Sequence, residues 1–545
     1  MAATSLPGAL RRAERKEGPS ESEAVDEARG DGPAQGAASA PRASLRRAAS
    51  EGGREAPGPE PLAPGLEALV AAILERPELG PGELDALQRR HPKQGRGFFS
   101  KREILAAYRR HADPPLAEAE LARRLRTCPT RSVSGVLPVT VFTKPFPCPG
   151  QCVFCPSDVR MPKSYLAQEP GCQRAHANRF DPYLQTWNRL DAYRAMGHAT
   201  DKVELLVLGG TWSSYPQPYQ RGFVLRCLEA LEDFGSGRDR REEARARTRE
   251  LAAPDAPAPA FGRAPSYNLR VRARLRERGG RAEAFETASW EALEAVQRRH
   301  ERAACRLVGL VVETRPDCVD RDEVLRLRRL GVTKVQLGVQ SMDDRVLAAS
   351  RRGHDGAMAQ RAAGLLRGAG FKLLVHWMPN LPGATPASDR VDFARLMGDP
   401  TLRPDELKIY PCVLLESAEL VELHAAGRWR PYDDATLTEL LADCLERVPS
   451  WCRVSRVIRD IPAPEIAAGS RISNLREAAQ ARVHARGGRL RDIRARELRG
   501  RSLDARPLRL HARRYRTAQG EECFLEGRSA DGHLVGWLRL SLPRV

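Results

Sequence analysis

Three cysteines lie close together in one short segment of the chain, at Cys148, Cys152 and Cys155. The segment follows an apolar run, and it contains Pro149 and Gly150, which bend the backbone away from regular structure. On an irregular loop, thiolates with this spacing are able to converge on one metal centre. The spacing therefore predicts metal chemistry at this loop.

Two kinds of metal centre fit the cysteine spacing. One is a [4Fe-4S] cluster held by three cysteines, which leaves one iron open to a substrate or cofactor. The other is a structural zinc site, which needs a fourth ligand, with Cys172 and His176 the nearest candidates. The spacing favours the cluster. A disulfide with one spare thiol is less favoured still, because the cysteine usage indicates a reducing compartment.

Length and composition indicate a large globular protein without a membrane span. The chain has 545 residues, of which 41% are hydrophobic and 29% are charged. This length suits about two to four domains. No apolar run reaches the roughly 18 residues of a transmembrane helix, and the N-terminal segment lacks the apolar centre of a secretory signal. The twelve cysteines are mostly isolated, so we expect a cytoplasmic protein with no membrane partner.

The net charge of +19 favours a polyanionic partner, because phosphate backbones bind Lys and Arg whatever the base sequence. Residues 1–60 hold 9 basic and 10 acidic side chains, so the N-terminal tail is not the basic part. Residues 471–516 hold 15 arginines and 4 acidic residues, a net charge of +11. An arginine-rich composition also follows from a GC-rich genome, but the charge is concentrated beside the predicted folded domains.

The N-terminal part of the chain divides into a tail and a helical region. Residues 1–60 are rich in Ala, Gly, Pro, Ser and Glu, which predicts disorder. Apolar residues then recur at helical spacing, so we expect a helical region over residues 61–125. A basic loop at 91–102 carries two phenylalanines. It fits either a contact with single-stranded nucleic acid or a solvated loop.

Residues 126–432 alternate β-rich runs with helical patterns, which predicts a parallel sheet or barrel. In (β/α) barrels the carboxyl ends of the strands form the active face. We interpret residues 235–290 as a surface insertion with a solvated arginine face. Residues 433–516 predict a basic helical linker, and residues 517–545 predict a β-hairpin. The predicted barrel strands are few enough to indicate a partial barrel: 136–142, 203–208, 307–312, 334–339, 372–377 and 406–410.

A series of specific motifs follows in one order along the chain. They include Lys144-Pro-Phe-Pro-Cys-Pro-Gly-Gln-Cys-Val-Phe-Cys-Pro, Met161-Pro-Lys-Ser-Tyr, Asp201-Lys-Val-Glu, Leu208-Gly-Gly-Thr, Glu313-Thr-Arg-Pro-Asp, Gly338-Val-Gln-Ser, Leu407-Lys-Ile-Tyr-Pro, Arg459-Asp-Ile-Pro and Asn474-Leu-Arg-Glu. Together they closely resemble the catalytic subunit of Elongator and its single-subunit homologues. The resemblance covers residues 90–540 apart from the insertion.

The resemblance implies an α/β fold: a partial (β/α) barrel of radical-SAM type, an N-terminal helical region, and a C-terminal GNAT-like α+β domain. We expect that last domain to be incomplete, because no glycine-rich loop for acetyl-CoA follows Gly536. The implied activity is formation of 5-carboxymethyluridine at the wobble position of tRNA from acetyl-CoA. The implied chemistry is that of S-adenosylmethionine (SAM) and a [4Fe-4S] cluster.

The resemblance also implies partners and alternatives. The partners are the anticodon stem-loop of tRNA, bound in part by residues 61–125, and acetyl-CoA; a homodimer or accessory subunits are compatible with it. One alternative is a tRNA-binding radical-SAM protein that is inactive alone because its acetyl-CoA domain is truncated. A less favoured alternative is a protein lysine acetyltransferase.

The resemblance assigns roles to individual residues. The three cysteines would ligate the cluster, Lys202 would contact acetyl-CoA, and Lys144, Arg160 and Lys163 are candidates for tRNA contact. Gln336 stands where the family commonly has glutamate. His176, His198 and His376 are interpreted as structural histidines. The SAM-binding candidates are Gly209, Gly210, Thr211 and Glu313, and the catalytic candidates are Lys408 and Tyr410.

Overall fold

The computed structural model describes residues 65–76, 81–93, 97–109, 132–250, 266–499, 503 and 507–543. The predicted tail over residues 1–60 lies outside the described residues, as do residues 110–131 and 251–265. The helices are Leu66–Leu74, Pro81–Arg90, Lys101–Tyr108, Pro170–Ala177, Pro182–Ala195, Gln217–Ser236, Arg241–Glu250, Tyr267–Glu286, Trp290–His300, Arg321–Arg329, Asp344–Ala349, Gly356–Gly368, Pro386–Gly398, Leu420–Ala425, Asp434–Arg447, Leu475–Ala485 and Ile493–Arg496.

The strands of the described residues are β1 (Leu137–Phe142), β2 (Lys202–Leu208), β3 (Arg306–Thr314), β4 (Lys334–Gln340), β5 (Lys372–Trp377), β6 (Glu406–Ile409), β7 (Leu414–Leu415), β8 (Arg453–Arg456), β9 (Ile466–Ala468), β10 (Arg509–Arg516), β11 (Gly520–Arg528) and β12 (Leu534–Pro543). They form three sheets. The largest has seven parallel strands in the order β1-β2-β3-β4-β5-β6-β8, a smaller one pairs β7 with β9, and the third has the order β10-β11-β12.

The seven-stranded sheet is a curled half-barrel whose strands alternate with helices. All of its neighbouring strands pair in parallel, and β4 is buried almost throughout. Burial on both faces requires near-continuous apolar runs, which is why the sequence shows these strands clearly. The predicted α/β partial barrel is confirmed, and the six predicted strands correspond to β1–β6.

The seventh strand of the half-barrel was not predicted. β8 has only four residues and begins and ends with arginine, so it has no apolar run to mark it. Its pairing with β6 supplies the burial, and Val454 is fully buried there. The segment 433–516, predicted to be mostly helical, therefore contains one strand of the half-barrel as well as β9 and β10.

The C-terminal sheet has three antiparallel strands rather than the two of a hairpin. β11 and β12 correspond to the predicted hairpin, and β10 pairs along the other edge of β11. The arginine-rich β10 has no apolar alternation, so the sequence did not predict a strand. Its Tyr515 stacks on Trp451 at 4.2 Å between ring centroids, which joins this sheet to the half-barrel.

The N-terminal helices pack around their own apolar core, which includes Leu69, Ile73 and Ile104. Helix Lys101–Tyr108 begins at a capping box, in which Ser100 and Glu103 satisfy each other's backbone N–H groups. In the described ranges, no helix is long and apolar enough to cross a membrane.

Candidate functional site

A cavity of about 710 Å³ opens at the carboxyl ends of the half-barrel strands. This is the end at which (β/α) barrels hold their ligands. Cys148, Cys152 and Cys155 line it. Other lining residues lie at or just beyond the carboxyl ends of β2 to β8: Gly210, Thr211, Glu313, Arg315, Gln340, His376, Lys408, Tyr410, Arg456 and Arg459.

Cys152 is the most strongly contacted of the three cysteines. It is buried, and its Sγ accepts hydrogen bonds from Nη1 of Arg352 at 3.0 Å and from Nη1 of Arg315 at 3.4 Å. A hydrogen bond from Cys155 outweighs the effect of burial, and with these two guanidinium groups it holds the pKa of the Cys152 thiol well below its usual range. Cys152 is therefore prepared to act as a thiolate ligand.

Cys148 is held by the backbone and by the end of β2. Its Sγ accepts a hydrogen bond from the backbone N–H of Gly150 at 3.4 Å and lies 3.6 Å from Oγ1 of Thr211. A Cβ atom on residue 150 would lie 2.1 Å from Nη1 of Arg315, so a side chain there would force this guanidinium to move. The glycine of the motif thus makes room for Arg315.

The donor set fits an iron–sulfur cluster better than a zinc site. Over the described part of the chain, no three His, Cys, Asp or Glu side chains stand close enough together to hold a metal ion without moving. The three cysteines nevertheless line one cavity, with N–H donors on the sulfur of Cys152, as in cluster sites. The two proposed fourth zinc ligands do not line it: Cys172 is fully buried beside Phe142, and His176 is exposed.

In the same cavity wall, Glu313 begins a network of polar side chains. It accepts a hydrogen bond from Tyr165 at 3.0 Å and lies 3.8 Å from Nδ1 of His376. Nε2 of His376 lies 3.1 Å from Oε1 of Gln336, which also accepts a hydrogen bond from Lys408. His376 was interpreted as a structural histidine, but the fold places it between Glu313 and Gln336 in the cavity wall.

Burial decides the protonation states in this network. It raises the pKa of Glu313 against the opposing charge of Lys408. It also lowers the pKa of His376 well below the usual histidine value, with the charges of Lys408 and Arg459 acting in the same direction. His376 is therefore neutral near pH 7, and Glu313 lacks a partner that fully compensates its charge.

Replacing Glu313 with glutamine is expected to stabilise the protein in the absence of cofactors. Because its folded pKa is raised, the stability that Glu313 contributes is present below the unfolded pKa and is lost as pH rises through the folded pKa. Glutamine does not ionise. The thermal midpoint of Glu313→Gln should exceed that of the wild type by about 2 °C at pH 8 and by less at pH 5. The exposed Glu419→Gln is the control; equal midpoints for Glu313→Gln and wild type at both pH values would contradict the prediction.

The two adjacent glycines after β2 have different reasons for being glycine. Gly210 lines the cavity, and its φ of 95° suits glycine. Gly209 has a φ of 136°, and a Cβ atom there would lie 1.9 Å from Oγ1 of Thr143. Gly209 is not among the residues that line the cavity, and its lack of a side chain lets Thr143, just after β1, pack closely against it. Gly210 and Thr211 line the cavity.

Several predicted contact residues lie elsewhere or already have partners. Lys202 is exposed at the start of β2, the opposite end of the sheet from the cavity, and its Nζ lies 3.8 Å from Asp201. Lys144 forms an ion pair with Glu286, and Arg160 pairs with Asp158 at 2.7 Å. Lys163 lines the cavity while bonding to Ser157. The structure thus brings Glu313, Lys408 and Tyr410 to the cysteines, but not Lys202.

Comparison with protein families identifies the class of enzyme that has this half-barrel and cysteine-lined cavity. Residues 284–397 match the model of the radical SAM superfamily, and residues 404–485 match the radical SAM C-terminal domain. The protein therefore carries a radical SAM domain, for which a [4Fe-4S] cluster and SAM are the expected cofactors.

Individual relatives narrow this class to one family. A tRNA uridine(34) acetyltransferase of Dehalococcoides mccartyi (strain CBDB1) is 35% identical over 417 residues, which cover 76% of this chain and 79% of that protein. Elongator complex protein 3 of Homo sapiens is 32% identical over 445 residues, covering 79% and 72%. The chain belongs to this family of tRNA uridine(34) acetyltransferases and Elongator complex protein 3.

A solved structure of the same family agrees with the fold. The archaeal Methanocaldococcus infernus Elp3 with an N-terminal deletion (1-46) has a TM-score of 0.57 and 29% sequence identity. The match covers 75% of this chain and 79% of that one.

Proposed function

We propose that this protein is a radical-SAM enzyme of the cytoplasm that forms 5-carboxymethyluridine at the wobble position of tRNA from acetyl-CoA. The observation that carries the proposal is that the cysteine loop, residues 148–155, lines the same cavity as Glu313, Lys408 and Tyr410. Family membership supplies the substrate class, because its relatives are named for tRNA uridine 34.

The proposed cofactor residues are cluster ligands and SAM contacts in the wall of one cavity. Cys148, Cys152 and Cys155 would hold the cluster, and Gly210 and Glu313 would hold SAM. When bound, these groups would supply a carbon-centred radical from reductive cleavage of SAM. The protein's part is to orient the reacting groups and exclude water.

The proposed tRNA contact rests on the charge of the cavity wall. Arg174, Arg189, Arg456 and Arg471 line the cavity together with Lys408. Cationic side chains of this kind bind phosphate oxygens without reading sequence. Lys408 lies near the end of β6 and Tyr410 follows it, and both would orient the uridine or the acetyl group.

The proposed binding site for acetyl-CoA lies apart from the cavity. Lys202, assigned to acetyl-CoA by family resemblance, lies away from the cavity at the start of β2. Acetyl-CoA would therefore reach the cavity from a second site, within the family's acetyltransferase-like region or on an accessory subunit.

The proposal is tested by mass spectrometry of tRNA nucleosides from a deletion strain that expresses each variant. The wild type should restore 5-carboxymethyluridine and its derivatives, and Lys408→Met should reduce them by at least about 100-fold. Arg345→Gln is the matched control, because Arg345 is an exposed cation with a side chain 89% accessible. Undiminished 5-carboxymethyluridine and derivatives in the deletion strain would refute the proposed function.

A further inference from the structure

Helix Tyr267–Glu286 lies within the segment that the sequence predicted to be a surface insertion. The structure places this helix directly against the cysteine loop. Its first residues contact the loop, and its last residue, Glu286, forms an ion pair with Lys144, four residues before Cys148. The helix therefore packs against the cysteine loop and is not only a solvent-exposed insertion.

Asn268 makes the central contact between the helix and the loop. Its Oδ1 accepts a hydrogen bond from the backbone N–H of Cys148 at 3.0 Å, and its Nδ2 donates to the backbone C=O of Cys148 at 2.8 Å. A side-chain amide has the same donor and acceptor pair as a peptide group, so it satisfies both main-chain groups of Cys148 at once. These two bonds fix the backbone of a cysteine on an otherwise irregular loop.

Tyr267 contacts the segment that follows the cysteine loop. Its hydroxyl donates to the backbone C=O of Met161 at 2.9 Å, and the ammonium of Lys163 lies 4.9 Å from its ring centroid. Tyr267 is buried with Val159 and Val271 in a small apolar cluster. One helix thus contacts the chain before the cysteines at Lys144, at Cys148 itself, and after the cysteines at Met161.

We propose that helix Tyr267–Glu286 is a brace for the cysteine loop and that Asn268 is a positioning residue for Cys148. The inference rests on the cluster named in the proposed function. Ligands of a metal centre must be held close to their productive geometry by neighbouring contacts, and irregular backbone without such contacts loses that order at an entropic cost. Asn268 does this for Cys148 as Arg315 and Arg352 do for Cys152.

The test compares Asn268→Ala with Leu269→Ala, since Leu269 is the next residue on the helix and is 62% exposed. Both proteins are reconstituted anaerobically with iron and sulfide, and the loss of the visible chromophore is followed in excess EDTA. Removing a partner that orients a metal ligand costs roughly tenfold or more in metal retention. Asn268→Ala should therefore lose its cluster about tenfold faster than wild type, and Leu269→Ala at the wild-type rate.

A conservative variant and a spectrum distinguish the loss of Cys148 positioning from a general loss of folded structure. Asn268→Asp keeps the acceptor for the Cys148 N–H but turns a carboxylate oxygen toward the Cys148 C=O, where Asn268 supplies a donor, so it should also lose the cluster faster than wild type. The paramagnetic resonance spectrum of the reduced cluster should broaden in both Asn268 variants, while far-UV circular dichroism stays unchanged. If Asn268→Ala does not fold, the rate and spectrum of Asn268→Asp decide.

The outcomes distinguish this inference from the proposed function. Equal cluster-loss rates and spectra for wild type and both Asn268 variants overturn the brace. Failure of the wild type to take up iron overturns the cluster itself, and with it the proposed function.

Discussion

Replacement of Cys152 by alanine is expected to remove nearly all bound iron and to abolish SAM cleavage. Cys152 is the buried cysteine of the loop, and two guanidinium groups stabilise its thiolate. Alanine removes one of the three proposed ligands and leaves Arg315 and Arg352 without the sulfur that they contact. A cluster with two protein ligands is not retained, so the iron content should fall at least about tenfold. Iron and acid-labile sulfide analysis after anaerobic reconstitution measures the effect.

Two buried cysteines provide matched controls for this change. Cys172→Ala tests the fourth ligand of the alternative zinc site, and Cys412→Ala tests the remaining cysteine in the cavity wall. Burial raises the pKa of both thiols above the usual cysteine value, so neither is prepared to act as a thiolate. Both variants should retain iron. Stoichiometric zinc in the wild type that is lost from Cys172→Ala would instead establish the zinc site.

Much of the half-barrel was predictable because β3, β4 and β5 are largely buried. Such strands carry apolar residues that mark them in the sequence. β8 and β10 were missed, since their arginines carry no apolar pattern. β8 is held by its pairing with β6, which lies well before it in the chain, and β10 is held by its pairing with β11 and by the contact of Tyr515 with Trp451. Strand identity there comes from tertiary pairing, which overrides local propensity.

The candidate site was predictable where spacing or a family motif indicates chemistry. The cysteines stand out by their spacing, Glu313 and Lys408 stand out by the family resemblance, and all of them line one cavity. Asn268 and Arg352 are ordinary polar residues whose importance comes only from contacts with Cys148 and Cys152, at sequence separations of 120 and 200 residues. No local pattern marks such contacts.

Gln336 shows how a small departure in sequence acquires meaning from its neighbours. It is fully buried, and its one amide oxygen accepts from Lys408 and lies 3.1 Å from Nε2 of His376. A glutamate at this position would add a charge beside Glu313. The glutamine links Lys408 to His376 through its amide oxygen without adding that charge.

The opposite end of the half-barrel is held by a charge network with a buried pair, Lys334 and Glu406, at its centre. Lys334 begins β4, and its ammonium lies 2.9 Å from Glu406 of β6 and 2.8 Å from Glu204 of β2. Lys372 lies 2.9 Å from the same oxygen of Glu406. Burial opposes ionisation of Glu406, but Lys372 and Lys334 outweigh it and hold the pKa of Glu406 well below its usual range. This network ties together the amino ends of non-adjacent strands.

Replacing Glu406 with glutamine is therefore expected to destabilise the fold by about 3 kcal/mol at pH 7. Removal of one partner leaves Lys334 buried with only part of its compensating charge, and breaking buried pairs in this way costs about 3–5 kcal/mol. Glu204 remains, which places the effect at the lower end. Urea denaturation followed by circular dichroism measures the difference. Glu419→Gln is the control, since its pair with Arg351 is more than half exposed and should contribute less than about 1 kcal/mol.

The pH dependence provides a second measure of the same network. Because the folded pKa of Glu406 is depressed, its contribution is present above the unfolded pKa of about 4.3 and is lost as pH falls through the folded pKa. The difference between wild type and Glu406→Gln should therefore be constant from pH 6 to 8 and shrink below about pH 4. A difference under about 1 kcal/mol at pH 7, or one that grows in acid, would show that the network does not stabilise the half-barrel through charge.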